Sequence, residues 1–324
     1  MSRFSIPVPR DYLLRRDYCS YGYFLLAPNN WDVESRTVTS TLTLESGAAT
    51  LRLTQPMRAH PVRVTADRKL ARAEVADAKR AVARMLRLDE TAATIAAFHK
   101  ADPRWKKAGR GRLMRSPTFF EDVIKTVTSC NVTWPSTVSM NTRLCEVLGE
   151  RSPSGLAAFP TPERLARMRA ATLRARCGVG YRDQRIIDLA RLFVRGDINP
   201  RWFENPATPD ADVRDALLEL PGIGPYAAHN LMQLLGRYAH LPLDTESIRH
   251  AKTILGMTGA DRDLMKRLHA HYAPFGANAF RSYWLELWTF YETKQGPSWT
   301  WQREKTAKAF TAAMLREKAP PPPG

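Results

Sequence analysis

The apolar residues of this 324-residue chain change period once, near residue 70, and that change limits the chain to an α+β architecture with a sheet ahead of a helical body. Up to about Pro61 the pattern alternates in the period of two that suits half-buried strands. It predicts strands over 21–27, 36–44, 49–53 and 62–65, with turns at Pro28-Asn29-Asn30 and Ser46-Gly47. From Arg72 onward the period is helical, with Val75, Ala78, Val82, Met85 and Leu86 on one face. Further helices are predicted over 90–99, 117–130, 136–148, 162–168, 170–174, 181–195, 212–219, 225–235, 246–255, 262–272, 279–291 and 300–316. The domains expected are an antiparallel sheet domain with a helix (1–90), an all-α core (91–318) and a Pro-rich tail (319–324).

Charge narrows the class of partner. The chain has 49 Lys and Arg against 32 Asp and Glu, a formal net charge of +17. Such a field attracts polyanions, and binding through it weakens steeply with salt. A generally basic surface or RNA binding is equally compatible with the charge alone. No run of about 18 apolar residues is present, and the start MSRFSIPVPRDYLLRR lacks the apolar stretch of a secretory signal. These features predict no membrane span and an intracellular protein, in cytoplasm or nucleoid, or the nucleus of a eukaryote. Cys19, Cys130, Cys145 and Cys177 are scattered without CxxC spacing, which argues against a zinc or iron–sulfur site.

The richest local signal is Leu220-Pro221-Gly222-Ile223-Gly224-Pro225-Tyr226-Ala227-Ala228. Gly222 and Gly224 can take positive φ in a turn between two helices, and Pro225 suits the first position of the second. The amides opening that helix, with its dipole, form a site for an anion such as a phosphate. In isolation the same residues make an ordinary helical corner. Downstream, Leu241-Pro242-Leu243-Asp244 places Asp244 as the cap of the helix over 246–255.

Hairpin, following helix and aspartate together resemble the signature of the helix-hairpin-helix (HhH-GPD) superfamily of DNA glycosylases. A sheet ahead of the helical core is similar to the 8-oxoguanine DNA glycosylase and 3-methyladenine glycosylase II branches, over roughly residues 18–290. The resemblance implies an all-α core of two lobes framing a cleft, with double-stranded DNA containing a damaged base as partner. It implies that Asp244 is catalytic and that the backbone of Gly222, Ile223, Gly224, Tyr226 and Ala227 meets DNA. It further implies a Na⁺ or K⁺ ion on the carbonyls of Leu220 and Gly222, no required cofactor, and a monomer.

One departure bears on chemistry. Bifunctional relatives carry a lysine two residues after the second hairpin glycine, where its amine forms a Schiff base. This chain has Tyr226 there, and a phenol forms no imine, so hydrolysis without lyase activity is expected. In the 8-oxoguanine branch an Asn and a Gly-Tyr-Arg run fill the space of the flipped nucleotide and read the opposite cytosine. Asn131, Tyr181 and Arg182 match those positions, although a C-terminal cap is the simpler reading of Asn131.

Tyr226, Asn230, Glu286, Trp288 and Phe290 are candidates for the base pocket, within the aromatic run Arg281 to Phe290 and the hairpin helix. Most aromatics at helical spacing are simply core. His229 is a candidate phosphate or structural contact. Lys106, Lys107, Arg110, Arg112 and Arg115 form a basic run before the helix at 117. Three readings follow: excision of alkylated purines, excision of modified guanine opposite cytosine, or a catalytically silent DNA-damage-binding protein.

Overall fold

The computed structural model describes residues 1–303. Five strands, β1 (Arg3–Ile6), β2 (Asn30–Asp32), β3 (Thr37–Leu44), β4 (Gly47–Thr54) and β5 (Val62–Ala66), form one antiparallel sheet in the order β1-β5-β4-β3-β2. The helices are α1 (Leu14–Tyr18), α2 (Arg72–Met85), α3 (Ala92–Ala101), α4 (Phe119–Ser129), α5 (Trp134–Leu148), α6 (Pro162–Ala166) and α7 (Ala170–Cys177). They continue with α8 (Asp183–Arg195), α9 (Pro200–Glu204), α10 (Asp210–Leu218), α11 (Pro225–Leu234), α12 (Thr245–Thr253), α13 (Asp261–Tyr272) and α14 (Ala279–Gln295). The α+β expectation is met, with the sheet ahead of the helices. The expected helix over 300–316, beyond residue 303, and the tail over 319–324 lie outside the described residues.

Residues 21–27 are not a strand. Gly22–Leu25 is a 3₁₀ turn, and Tyr21, Tyr23, Phe24, Leu25, Leu26 and Ala27 are all buried. A sheet with one solvated face buries alternate residues; this segment is buried on both parities because it inserts into the helical body. The Phe24 ring lies 6.3 Å from Tyr18 and 6.4 Å from both Trp288 and Trp301. The Tyr23 hydroxyl meets Thr126 Oγ1 of α4 at 2.9 Å.

Helix α4 is the axis of the body. The Thr118 side chain accepts the Glu121 amide at 3.2 Å, and Glu121 and Asp122 sit in the first turn, where the helix dipole favours negative charge. Residues from Phe119 to Thr128 are almost all buried, so the charges on this helix are paired: Lys125 with Glu121, and Asp122 with Arg84 at 2.8 Å. Helices α5, α8 and α11 pack on α4, while α12, α13 and α14 form a second group. The chain crosses from one group to the other between α11 and α12, and Asp244 lies on that crossing.

The basic run before α4 is mostly internal. Arg110 pairs with Glu292, and Arg112 pairs with Asp11 and donates to the Glu90 carbonyl. Arg115 pairs with Asp89 at 3.0 Å and donates to the Leu234 carbonyl. Only Lys106 and Lys107 of this run are exposed. A segment so charged can be buried because carboxylates from distant elements meet it.

Phe24→Ala removes a fully buried ring shared by the N-terminal segment and α14, and should cost about 3–5 kcal/mol. Urea denaturation checks this; an unchanged midpoint would show that the segment is not part of the cooperative core.

Candidate active site

The hairpin forms as a tight turn. Leu220 N–H donates to Leu217 O at 3.2 Å and Ile223 N–H to Leu220 O at 3.1 Å. Gly222 has φ 80°, whereas Gly224, the N-cap of α11, has φ −95° and ψ −176°. Positive φ is therefore needed at Gly222 alone. The amides of Gly222, Gly224, Tyr226 and Ala227 have no acceptor among the described residues. The Ile223 amide is committed to the turn and its side chain is buried, so Ile223 holds the hairpin instead of offering an N–H. A Cβ on Gly222 would fall 2.6 Å from Cδ of Arg185, an exposed α8 side chain lying over the turn.

Asp244 caps α12. Its Oδ1 accepts the amides of Glu246 and Ser247, both at 3.0 Å, and the Ser247 hydroxyl at 3.2 Å. Every hydrogen bond of the carboxylate among the described residues falls on Oδ1. Burial pushes its pKa above the ordinary 3.8, with Glu246 adding to the rise; the bonds from Ser247 and Glu246 oppose it.

A cavity of about 380 Å³ opens beside this carboxylate between the two helix groups. One side is formed by Ser129, Val132 to Trp134, Thr137, Tyr226 and Asn230, the other by Asp244 to Glu246 and the α14 residues Tyr283, Trp284, Leu287, Trp288 and Tyr291. Tyr21, Gly22 and Tyr23 supply a third wall. Gly22 permits close approach, because a Cβ there would lie 2.9 Å from the Trp134 ring. Trp284 and Trp288 stack with centroids 5.3 Å apart, and their indole N–H groups donate to Ser20 O and Cys19 O. Among the described residues the charged ones lining it are Asp244 and Glu246; Glu246 is gripped by Arg249 and by the Tyr291 hydroxyl. A larger cavity of about 810 Å³, between β3, α2 and the start of α4, contains neither Asp244 nor any hairpin residue.

The predicted pocket residues divide. Tyr226 and Trp288 line the cavity. Burial, then Asp244, pushes the Tyr226 phenol well above 10. Asn230 also lines it, but its amide is spent on scaffolding, accepting from Tyr21 Oη at 2.7 Å and donating to Thr126 Oγ1 at 3.0 Å.

Glu286 and Phe290 do not line the cavity. On α14, Glu286 is two residues from both Trp284 and Trp288, about 200° around the helix. It pairs with Arg104 and with His250 Nε2 at 3.2 Å, and accepts from Tyr272 Oη at 3.0 Å. Burial would raise its pKa, but the bonds from His250 and Arg104 outweigh it and hold the carboxyl at about 2. Phe290 lies under Arg249, whose Cζ is 4.7 Å from the ring centroid.

Asn131 has φ 52° and is exposed, one residue beyond Cys130, the extended C-cap of α4. Arg182 is buried, its guanidinium donating to Val127 O at 3.2 Å and to the carbonyls of Cys130 and Asn131, while its Cζ lies 4.3 Å from the Tyr181 ring centroid. Arg182 thus meets Asn131 through its backbone carbonyl and Tyr181 through its ring. Tyr181 is 52% exposed. His229 Nδ1 meets Leu241 O at 3.2 Å, bracing the segment that carries Asp244.

Tyr21, Gly22, Trp134, Glu246 and Ser247 were not anticipated at the site. Their signals were present, in an apolar run buried on both parities and a tryptophan opening α5, but only tertiary packing brings them together. Among the described residues no group of three His, Cys, Asp or Glu could hold a metal ion, and no helix is long and apolar enough to cross a membrane.

Gly222→Ala should destabilise the fold by about 1–2 kcal/mol through left-handed backbone strain, before the clash with Arg185 is counted. A thermal melt indistinguishable from wild type would refute this description of the turn.

Known proteins place this arrangement. Residues 124–274, spanning α4 to the turn after α13, match the family described as HhH-GPD superfamily base excision DNA repair protein. No curated protein matches the chain in sequence. Among solved structures, MBOgg1 in complex with a low-affinity DNA ligand is 18% identical with TM-score 0.66, covering 92% of this chain and 97% of its own. Clostridium acetobutylicum 8-oxoguanine glycosylase/lyase in its apo form is 17% identical with TM-score 0.64, covering 87% and 93%. The 3-methyladenine DNA-glycosylase from Archaeoglobus fulgidus is 15% identical with TM-score 0.66, covering 90% and 99%. At these identities the structural likeness establishes the fold, and residues 124–274, the segment similar to HhH-GPD superfamily base excision DNA repair proteins, contain both the hairpin and Asp244.

Proposed function

We propose that this protein is a monofunctional DNA glycosylase that flips a damaged purine out of duplex DNA and hydrolyses its N-glycosidic bond with the help of Asp244. The observation that carries the reading is a buried carboxylate beside an aromatic cavity, with Oδ1 held by its helix and Oδ2 outside those bonds. The free hairpin amides and the helix dipole behind them suit a DNA phosphate. An extruded base stacks on the tryptophan and tyrosine walls, offsetting part of the cost of leaving the duplex. As the bond to the base breaks, positive charge develops on the sugar, and a fixed carboxylate stabilises that charge more than it stabilises the ground state. Water completes the reaction, leaving a free base and an abasic site. Tyr226 stands where an amine would be required for a Schiff base, so strand cleavage through that position is not expected.

Alkylated purines are the substrate class best supported. A ring made cationic by alkylation gains cation–π attraction from the walls, and the cavity lining carries two carboxylates and, among the described residues, no cationic side chain. Modified guanine opposite cytosine is the second reading. It is favoured by the proximity of Asn131, exposed Tyr181 and Arg182, although Arg182 would have to exchange its carbonyl partners to read a base. A Na⁺ or K⁺ ion would rest on the carbonyls of Leu220 and Gly222; the first already accepts the Ile223 amide and the second is without a donor among the described residues.

Asp244→Asn should slow single-turnover excision of 7-methylguanine by about 100-fold or more. Retention of the full rate would remove Asp244 from the mechanism. Because the folded-state pKa of Asp244 is raised, its ionised form costs stability as pH rises through that pKa. The Asn variant keeps a capping oxygen and loses that charge, so its melting temperature at neutral pH should equal or exceed that of wild type. For the same reason the wild-type excision rate should fall on acidification at a pH above the ordinary aspartate range; a rate independent of pH down to that range would contradict a reactive ionised Asp244.

A further inference from the structure

We infer that Ser247 and Tyr283 are positioning residues for Asp244, a two-hydroxyl brace by which α14 fixes the orientation of the carboxylate, with one oxygen on the cap and the other outside it. The inference rests on the glycosylase reading for its kinetic meaning and on geometry for its existence. Ser247 Oγ accepts the Asp244 amide at 3.1 Å, donates to Asp244 Oδ1 at 3.2 Å and meets Tyr283 Oη at 2.8 Å. Serine has one proton. With that proton on the carboxylate, Tyr283 must donate to Ser247, so hydrogen-bond direction runs from α14 through α12 to Oδ1.

The brace is rigid. Ser247 is fully buried and Tyr283 nearly so. The Tyr283 ring is held edge-on by His250 at 5.2 Å and by Tyr272 at 5.5 Å. Behind them Glu286 accepts from Tyr272, pairs with His250 and is held by Arg104. Cap amides alone donate to one carboxylate oxygen and leave the carboxylate plane free to turn about that contact. A third donor, the Ser247 hydroxyl anchored from α14, fixes that plane and keeps the second oxygen turned away from the cap.

The same contacts act on charge. Asp244 is faced by Glu246 on α12, Tyr226 on α11, Tyr283 on α14, Tyr21 in the N-terminal segment and Cys130 after α4. Burial pushes all four phenol and thiol groups above their ordinary ranges, which leaves Glu246 as the charged neighbour in this set. Burial and Glu246 raise the pKa of Asp244, and the Ser247 amide and hydroxyl lower it.

The test combines two readouts on the full-length protein. Carboxyl ¹³C NMR titration of Asp244, assigned through Asp244→Asn, is compared among wild type, Ser247→Ala, Tyr283→Phe and Ser247→Thr. Single-turnover excision and affinity are then measured on a 7-methylguanine duplex. Ser247→Ala and Tyr283→Phe should raise the Asp244 pKa and slow excision roughly tenfold or more at unchanged DNA affinity, with Ser247→Thr behaving as wild type. An Asp244 titration unmoved in both Ser247→Ala and Tyr283→Phe would overturn the brace. A shifted titration in a protein that excises no base would uphold the brace and refute the glycosylase reading instead. Tyr283→Phe keeps the ring packing, so the test survives even if Ser247→Ala unfolds.

Discussion

The site depends on one helix cap. Asp244 closes the N-terminus of α12 by accepting two amides and a hydroxyl on a single oxygen. Most capping aspartates lie at the surface; this one is turned into an apolar cavity, so burial and hydrogen bonding pull its pKa in opposite directions, with burial dominant. The cap holds the buried carboxyl in place, and ionising it carries an energetic cost for the fold. That is the pattern expected where a charge is kept for chemistry instead of stability.

Everything around the cavity keeps that carboxylate at a junction of three independent pieces. Helix α11 brings the hairpin and Tyr226, α14 brings the tryptophan wall, and the 3₁₀ turn at Gly22–Leu25 brings Tyr21 and Tyr23. The pieces are locked by buried polar networks: Tyr21, Asn230 and Thr126 on one side, His250, Tyr272 and Glu286 on the other. Buried hydrogen-bonded networks of this kind restrict the geometry, which a purely apolar interface would leave free to slide.

Sequence reasoning reached the parts whose meaning is local. The hairpin, Pro225 at the start of α11 and Asp244 as a cap follow from residue spacing, because turn and cap chemistry are decided within a few residues. The sheet was legible for β3, β4 and β5, while β1, only four residues long, gave too little alternation to read. Tyr21 to Ala27 was misread because a continuously buried segment and a strand share an apolar composition. Glu286 was misassigned because similarity of position does not fix a helix's rotation; two residues' difference turned it from the cavity to Arg104 and His250. The burial of Arg110, Arg112 and Arg115 was not legible because their carboxylate partners Glu292, Asp11 and Asp89 lie 182, 101 and 26 residues away.

The account stands on a buried aspartate acting where no amine is present. The most direct measurement is strand breakage in labelled duplexes carrying 7-methylguanine, 3-methyladenine, hypoxanthine, uracil or 8-oxoguanine opposite each base, read with and without alkali. Breaks that arise only after alkali, strongest with the alkylated purines, are what an Asp244 hydrolase with Tyr226 in the lysine position should give. Breaks without alkali would contradict the chemistry assigned to Tyr226, and intact strands under both conditions would contradict a glycosylase acting on these bases.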